Sequence, residues 1–148
     1  METKVPPVSA VVSGRMADQF QVSISAGGHD FRGDEPEDQG GAGSGPSPYD
    51  YLAAALGSCT VMTLNMYARR KQWPLESVEV TVRHGKIHAK DCADCATRVG
   101  MIDRLERDIT LIGELNDEQR QRLLEIANRC PVHMTLLSEI KIISRLQG

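Results

Sequence analysis

Residues 47–63, SPYDYLAAALGSCTVMT, decide the fold, because they predict the beginning and the inward face of a long helix. Ser47 and Asp50 have the spacing of a capping box, and Pro48 stands at the first helical position, where proline is tolerated. Residues at helical spacing then form one mostly apolar face: Leu52, Ala55, Cys59, Met62, Thr63 and Met66. The helix is predicted to end at Trp73-Pro74, and it carries the thiol of Cys59 in its middle.

The segments on either side of this helix alternate with the period of β-strands. Upstream, Phe20, Val22 and Ile24 alternate with polar residues, so residues 8–33 predict short strands. Downstream, two strands are indicated by Val78, Val80, Val82, Leu105, Ile109 and Leu111, and a closing strand by Ile140, Ile142, Ser144 and Leu146. Strands mixed with helices in this order predict an α+β fold.

A second helix is predicted to begin at Asn116, with an inward face that includes Leu123, Leu124, Ala127 and Cys130. Pro131 disfavours helical geometry at the residue before it, so this helix stops at Cys130 and a short new one begins with Pro131. Cys130 is thereby placed at a helix N-cap, where exposed N–H groups favour a deprotonated thiol. Cys59, in mid-helix, needs a cation from elsewhere to react as a thiolate.

Of the residues, 41% are hydrophobic and 25% are charged, which is typical of a globular protein. The length predicts one domain over residues 1–148, and this domain contains a glycine-rich loop at residues 34–46. A net charge of −3 favours neither nucleic-acid nor membrane binding. Without a signal-peptide pattern or an apolar run of about 20 residues, the protein is expected to be cytoplasmic. Four cysteines in that reducing compartment are expected to be catalytic, redox-sensing or metal-binding.

The four cysteines form two pairs with different alternatives. From spacing alone, Cys59 and Cys130 are either buried core cysteines or a redox pair. The CxxC motif at residues 92–95 is an ordinary surface loop, an auxiliary disulfide or dithiol, or part of a metal site. The ligands of such a metal site are His84, His88, Cys92 and Cys95.

Residues 45–60, GPSPYDYLAAALGSCT, and residues 123–133, LLEIANRCPVH, resemble the OsmC/Ohr family of osmotically inducible and organic hydroperoxide resistance proteins. His29, Asp34-Glu35-Pro36 and Gly40-Gly41 are similar to the upstream segment of an OsmC-like subgroup. The resemblance implies an OsmC-like α+β fold in which antiparallel sheets wrap around central helices in an intertwined homodimer. It also places the active sites at the subunit interface.

The activity implied by this resemblance is thiol-dependent reduction of organic, and also inorganic, hydroperoxides. Cys59 is the peroxidatic residue that becomes a sulfenic acid, and Cys130 is the resolving residue that condenses with it as a disulfide. An external dithiol, such as a lipoylated protein, restores the enzyme, and no metal or bound cofactor is required. The alternative is a stress-related small-molecule binding protein of the same fold with little or no turnover. A third option is a zinc-binding module that uses the CxxC segment.

The family also implies a carboxylate and an arginine that activate the peroxidatic thiol. Asp50 is the candidate carboxylate, although nine residues of helix place it on the side opposite to Cys59, and it has a second interpretation as the capping residue. Arg15 and Arg32 are the candidate arginines, with Arg15 preferred, and surface placement is the alternative for both. His133 is an additional candidate neighbour of the thiols.

Overall fold

A computed structural model describes residues 7–148. These residues form both β-strands and α-helices, as expected for an α+β fold. The chain divides into two compact units, residues 1–52 and 53–148. The prediction of a single domain over residues 1–148 stays a prediction. No helix within the described part of the chain combines the length and apolar character that crossing a membrane requires.

The first unit contains a three-stranded antiparallel sheet in the order β1-β2-β3, formed by β1 (Ala10–Ser13), β2 (Val22–Ala26) and β3 (His29–Gly33). The short strands expected over residues 8–33 are therefore confirmed. The alternating pattern of Phe20, Val22 and Ile24 extends beyond the strand, because β2 begins at Val22 and Phe20 lies before it with 54% of its surface exposed.

The glycine-rich loop after β3 is organised around one buried carboxylate. Asp34 is 3% exposed, and its oxygens accept hydrogen bonds from the Ser44 hydroxyl at 2.7 Å and from the backbone N–H groups of Glu35, Ala42 and Ser44. These bonds, led by that of Ser44, hold the pKa of Asp34 below its ordinary value of 3.8. The hydrogen bonds to Asp34 therefore give this loop a defined conformation, and the loop leads into the cap of the long helix.

We expect Asp34→Ala to loosen this loop, because the amides of Ala42 and Ser44 lose their acceptor. Hydrogen exchange at these two amides should become roughly tenfold faster, as expected for the loss of a charge-assisted hydrogen bond. Asp38→Ala, which alters an exposed carboxylate of the same loop, is the matched control. Equal exchange rates in the two variants would contradict the role of Asp34. Since the pKa of Asp34 is lowered, the wild-type loop should loosen only as pH falls below 3.8.

The long helix begins as the sequence indicates. In α1 (Pro48–Lys71), the Ser47 N–H donates to Asp50 Oδ2 at 2.9 Å and the Asp50 N–H donates to Ser47 Oγ at 3.2 Å. This reciprocal pair is the predicted capping box. The helix ends two residues before Trp73, in agreement with the proline that follows.

The second unit consists of a long antiparallel hairpin, the rest of α1 and two further helices. The hairpin pairs β4 (Leu75–His88) with β5 (Met101–Gly113), and Val80 lies opposite Ile109. The helices that follow are α2 (Asp117–Ala127) and α3 (Pro131–Leu137). Asn116 and Gln119 form a complete capping box at α2, so the predicted start of this helix is confirmed.

The core of this unit packs helix against helix and hairpin. Its buried members are Leu64, Ala68, Leu115, Leu123, Ile126 and Ala127. The buried residues of α1 recur every four positions, and the last two belong to this core: Leu56, Thr60, Leu64 and Ala68. The inward face predicted from the sequence is therefore wrong, since Met62 is 70% and Met66 49% exposed. Because α1 is apolar around most of its circumference, periodicity alone could not select the packed face.

Two further expectations fail in the second unit. Leu124 was expected to face inward, but it is 46% exposed, and Ile126 takes its place in the core. The closing strand expected near the C-terminus is absent from the described chain: residues 139–148 form neither strand nor helix, and Ile142 is 85% exposed. The two sheets of the described chain are built from β1–β3 and from β4 and β5, and these residues pair with neither sheet.

Candidate functional site

The two cysteines that were predicted as a pair meet in the second unit. The backbone N–H of Val132 donates to Cys59 Sγ at 3.4 Å, and the N–H of the next residue, His133, donates to Cys130 Sγ at 3.4 Å. Two successive amides thus hold the two sulfurs side by side. Both cysteines are free thiols in this structure.

Local sequence explains why these amides are available. Cys130 is the N-cap of α3 and Pro131 occupies its first turn, as predicted. The first N–H groups of a helix have no acceptor within that helix, and proline has no N–H at all. The next two amides, those of Val132 and His133, are therefore the ones that reach the two sulfurs.

The two thiols differ in their access to solvent. Cys130 is completely buried, whereas Cys59 is partly exposed. Both lie on elements that also build the core, namely α1 and the start of α3. Of the two residues, Cys59 is therefore the one with a part open to solution.

The surroundings of Cys59 do not activate it in this structure. Burial raises the pKa of its thiol above the ordinary value of 9.0, and the neighbouring Cys130 raises it further. The hydrogen bond from the Val132 amide lowers the pKa and is the second-largest effect after burial. An activating cation close to Cys59 is thus still required, as the sequence argument anticipated.

A cation that the sequence analysis missed lies beside Cys130. The Arg107 guanidinium comes from β5, and its Nη1 is 3.8 Å from Cys130 Sγ. The same nitrogen donates to Thr60 Oγ1 at 3.0 Å and to the Ala127 carbonyl at 3.1 Å. The other nitrogen, Nη2, donates to Asn128 Oδ1 at 3.0 Å and lies 2.8 Å from His133 Nδ1.

The alternation of residues along β5 contains a sequence signal for the importance of Arg107. Residues two apart along β5 share one face, and Leu105, Ile109 and Leu111 are half-buried on that face together with Arg107. An arginine at an apolar position of a strand is a charge that must be accommodated inside the protein. This pattern would have indicated Arg107 as a functional or structural cation.

Thr60 connects this arginine with the helix of Cys59. Its hydroxyl donates to the Leu56 carbonyl at 2.7 Å, accepts from Arg107 and lies 3.8 Å from Cys130 Sγ. Thr60 is fully buried and its hydrogen-bonding capacity is used. The hydroxyl hydrogen is thus committed to the helix backbone.

His133 contributes its ring as well as its amide. Arginine can only donate, so His133 Nδ1 must be the acceptor of the Arg107 bond, and the neutral ring carries its proton on Nε2. Burial lowers the pKa of His133 below the ordinary value of 6.5, and the charge of Arg107 lowers it further. The ring is therefore held neutral at physiological pH.

A loss of stability in mild acid follows from this lowered pKa. Below 6.5 the unfolded chain binds a proton at His133 before the folded protein does, so the free energy of unfolding should decrease as pH falls. Urea unfolding at about pH 7.5 and about pH 5.5 measures this change. His133→Gln should reduce the difference between the two values, whereas His88→Gln, at an exposed histidine, should leave it intact. A pH dependence unaffected by His133→Gln would contradict this assignment.

The candidate activating residues Asp50 and Arg15 have local partners in the first unit. Asp50 is engaged in the capping box with Ser47, which lowers the pKa of its carboxyl. Arg15 Nε forms an ion pair with Asp18 at 2.8 Å, and its side chain is 79% exposed. The capping interpretation of Asp50 thus agrees with its contacts, and an activating role for either residue stays a prediction.

The CxxC motif lies between β4 and β5, where Cys92 and Cys95 form a disulfide with their Cα atoms 5.4 Å apart. This arrangement matches the auxiliary-disulfide alternative. Among the described residues, one group of possible metal ligands comes together here, Cys92, Asp94 and Cys95. Neither histidine of the predicted site belongs to it, and His84 Nε2 lies 2.8 Å from Asp103 Oδ1. A metal site with His84 and His88 stays a prediction without geometric support.

Comparison with known proteins agrees with this architecture. A family model described as OsmC-like protein matches residues 41–145. An organic hydroperoxide resistance protein from Elizabethkingia anophelis superposes with a TM-score of 0.68 at 19% identity, over 95% of this chain and 94% of that chain.

Two further solved structures show the same fold. The organic hydroperoxide resistance protein OsmC of Legionella pneumophila has a TM-score of 0.67 at 17% identity, over 91% of this chain and 92% of that chain. OhrB of Bacillus subtilis has a TM-score of 0.60 at 18% identity, over 88% and 90%. No match was found among curated protein sequences. These likenesses confirm the predicted fold class.

Proposed function

Because the chain belongs to the OsmC-like family, we propose that it is a thiol-dependent peroxidase that reduces organic and inorganic hydroperoxides. The observation that carries the proposal is the placement of two free thiols on adjacent amides, those of Val132 and His133. Two sulfurs held in this way need little movement to form a disulfide. The similar proteins named for hydroperoxide resistance support the same chemistry.

In the oxidative half of the cycle, the Cys59 thiolate attacks the terminal oxygen of the hydroperoxide. The O–O bond breaks, the alcohol leaves after taking a proton, and Cys59 becomes a sulfenic acid. Cys130 then attacks the Cys59 sulfur, which releases water and forms the Cys59–Cys130 disulfide. Cys59 has the first role because it is partly exposed whereas Cys130 is buried.

The reductive half requires an external dithiol, such as a lipoylated protein, and no metal or bound cofactor. One thiolate of the dithiol attacks the disulfide and its second thiol completes the exchange, leaving two protein thiols and an oxidised reductant. We also place the protein in the cytoplasm, where such reductants are maintained. Turnover with dihydrolipoamide, and none with solvent alone, is the expected result.

We further propose that the working form is a homodimer. Apolar side chains left exposed on the single chain support this, namely Met62, Met66, Ile140, Ile142, Ile143 and Leu146. A second copy would cover surface of this kind. Sedimentation at about twice the chain mass of 16.3 kDa is the expected result, and a monomer at micromolar concentration would contradict it.

A second function is a stress-related small-molecule binding protein of the same fold, with little or no turnover. It fits a Cys59 thiol that is partly buried and whose pKa burial raises rather than lowers. Consumption of a bulky organic hydroperoxide and of hydrogen peroxide, with a dithiol as reductant, separates the two functions. Turnover with formation of the Cys59–Cys130 disulfide supports the peroxidase; slow alkylation of Cys59 and no turnover support the binding protein.

A further inference from the structure

We propose that Arg107 supports the resolving step of the reaction by stabilising negative charge on Cys130 as its sulfur attacks Cys59. This inference rests on the proposed function and deepens it, because it assigns a role to a residue outside the two cysteine motifs. The guanidinium Nη1 is 3.8 Å from Cys130 Sγ. Arg107 is thus a positioning and charge-stabilising residue for the second thiol.

The charge of Arg107 is not neutralised by a carboxylate. Besides Cys130 Sγ, its hydrogen-bond acceptors are four uncharged groups: the Thr60 hydroxyl, the Ala127 carbonyl, the Asn128 amide and the neutral His133 ring. Within residues 7–148, no acidic group lies within ion-pair distance of it. A positive charge held by neutral dipoles acts on whatever negative charge develops nearby, and in a half-buried setting water screens it weakly.

Cys130 has few other means of carrying negative charge. The titratable groups at this sulfur are Cys59, His133 and Arg107, and only the arginine is a cation. The Thr60 hydroxyl donates to the Leu56 carbonyl at 2.7 Å, a much closer contact than its 3.8 Å separation from the sulfur. The His133 N–H is the remaining donor. The guanidinium is therefore the main source of stabilisation for a buried nucleophile without access to solvent.

The step is balanced without a further reactant. The Cys130 thiol gives up its proton, and its sulfur forms a bond to the Cys59 sulfur while the S–O bond of the sulfenic acid breaks. The leaving hydroxide takes one proton and departs as water. Arg107 changes neither its protonation nor its bonds. His133 and Asn128 keep Nη2 in place, so that Nη1 stays directed toward Thr60 and the sulfur.

The test isolates the second step by using diamide as the oxidant in place of a hydroperoxide. Diamide adds to the Cys59 thiol, and attack by Cys130 then displaces the hydrazine and forms the disulfide, which reproduces the resolving step without a peroxide. We would compare wild type, Arg107→Gln and Arg107→Lys, with Arg104→Gln as the control at an exposed arginine of the same strand. Rapid acid quench and mass spectrometry give the rates of adduct formation and of disulfide formation.

Arg107→Gln should slow disulfide formation on the order of 10²-fold, as for the loss of one electrostatic donor, with adduct formation nearly unchanged. Arg107→Lys keeps the charge and should remain within about tenfold of wild type. Lysine and glutamine variants that are equally slow, or a glutamine variant as fast as wild type, would overturn the inference.

Three further outcomes of the experiment are distinguished. If Arg107→Gln does not fold, Arg107→Lys decides alone, and a rate more than tenfold below wild type counts against the inference. If diamide forms the disulfide in wild type but no hydroperoxide is consumed, the proposed function fails while the Arg107 comparison is still measured. If diamide forms no Cys59–Cys130 disulfide in wild type, both are overturned.

Discussion

Cys59→Ser should lower hydroperoxide turnover by roughly 10³-fold or more, the scale expected when the nucleophile of a covalent mechanism is removed. The reason is positional. Cys59 is partly exposed and Cys130 is completely buried, so we expect Cys59 to be the thiol of the pair that meets the substrate. Steady-state consumption of an organic hydroperoxide with excess dithiol measures the effect.

Two matched variants give this prediction its control. Cys130→Ser should still form one sulfenic acid per chain, trapped with dimedone, but no intramolecular disulfide. The double variant Cys92→Ser/Cys95→Ser removes the other disulfide and should retain turnover, since that pair lies on the β4–β5 connection. Sulfenic acid on Cys130 in the Cys59→Ser protein would reverse the assignment of roles.

Leu123→Ala should destabilise the protein by about 3 kcal/mol, within the range measured for removing a fully buried leucine. Leu123 is 0% exposed at the centre of the core that α2 builds with Leu64 and Ala127. The lost contacts and the cavity left behind both contribute. The free energy of unfolding from urea denaturation, at constant protein concentration, provides the measurement.

The adjacent residue offers a matched control for this substitution. Leu124 is the same residue type on the same helix but is 46% exposed. Leu124→Ala should therefore cost less than about 1 kcal/mol. Equal losses in the two variants would show that Leu124 is covered in solution, for example by a second copy of the chain, and that the single-chain description of this face is incomplete.

Much of the local structure could be predicted from the residues themselves. The start of α1 depends on Ser47 and Asp50, which are three residues apart, and the start of α2 depends in the same way on Asn116 and Gln119. The break at Pro131, which places Cys130 at an N-cap, results from the fixed geometry of proline. These features could be predicted because all their interactions lie within one or two helical turns.

The thiol pair was predicted by motif order, but its geometry depended on packing. The sequence indicated that Cys59 and Cys130 belong together, and the structure holds both sulfurs on the Val132 and His133 amides. Arg107 was missed, because 23 residues of sequence separate it from Cys130 and only the packing of β5 against α3 brings them within 3.8 Å. The strand period indicates which way Arg107 faces, but not what it meets.

The sequence by itself determined where α1 and α2 begin, that the chain breaks at Pro131 and which cysteine caps α3, since short-range hydrogen bonds and backbone geometry govern these features. Only the tertiary structure decided which stripe of α1 is buried, with Leu64 chosen over Met62, and whether Leu123 or Leu124 enters the core. In both helices the competing faces are similarly apolar. The choice between them therefore depends on the total area buried against distant parts of the chain, a quantity that no local pattern contains.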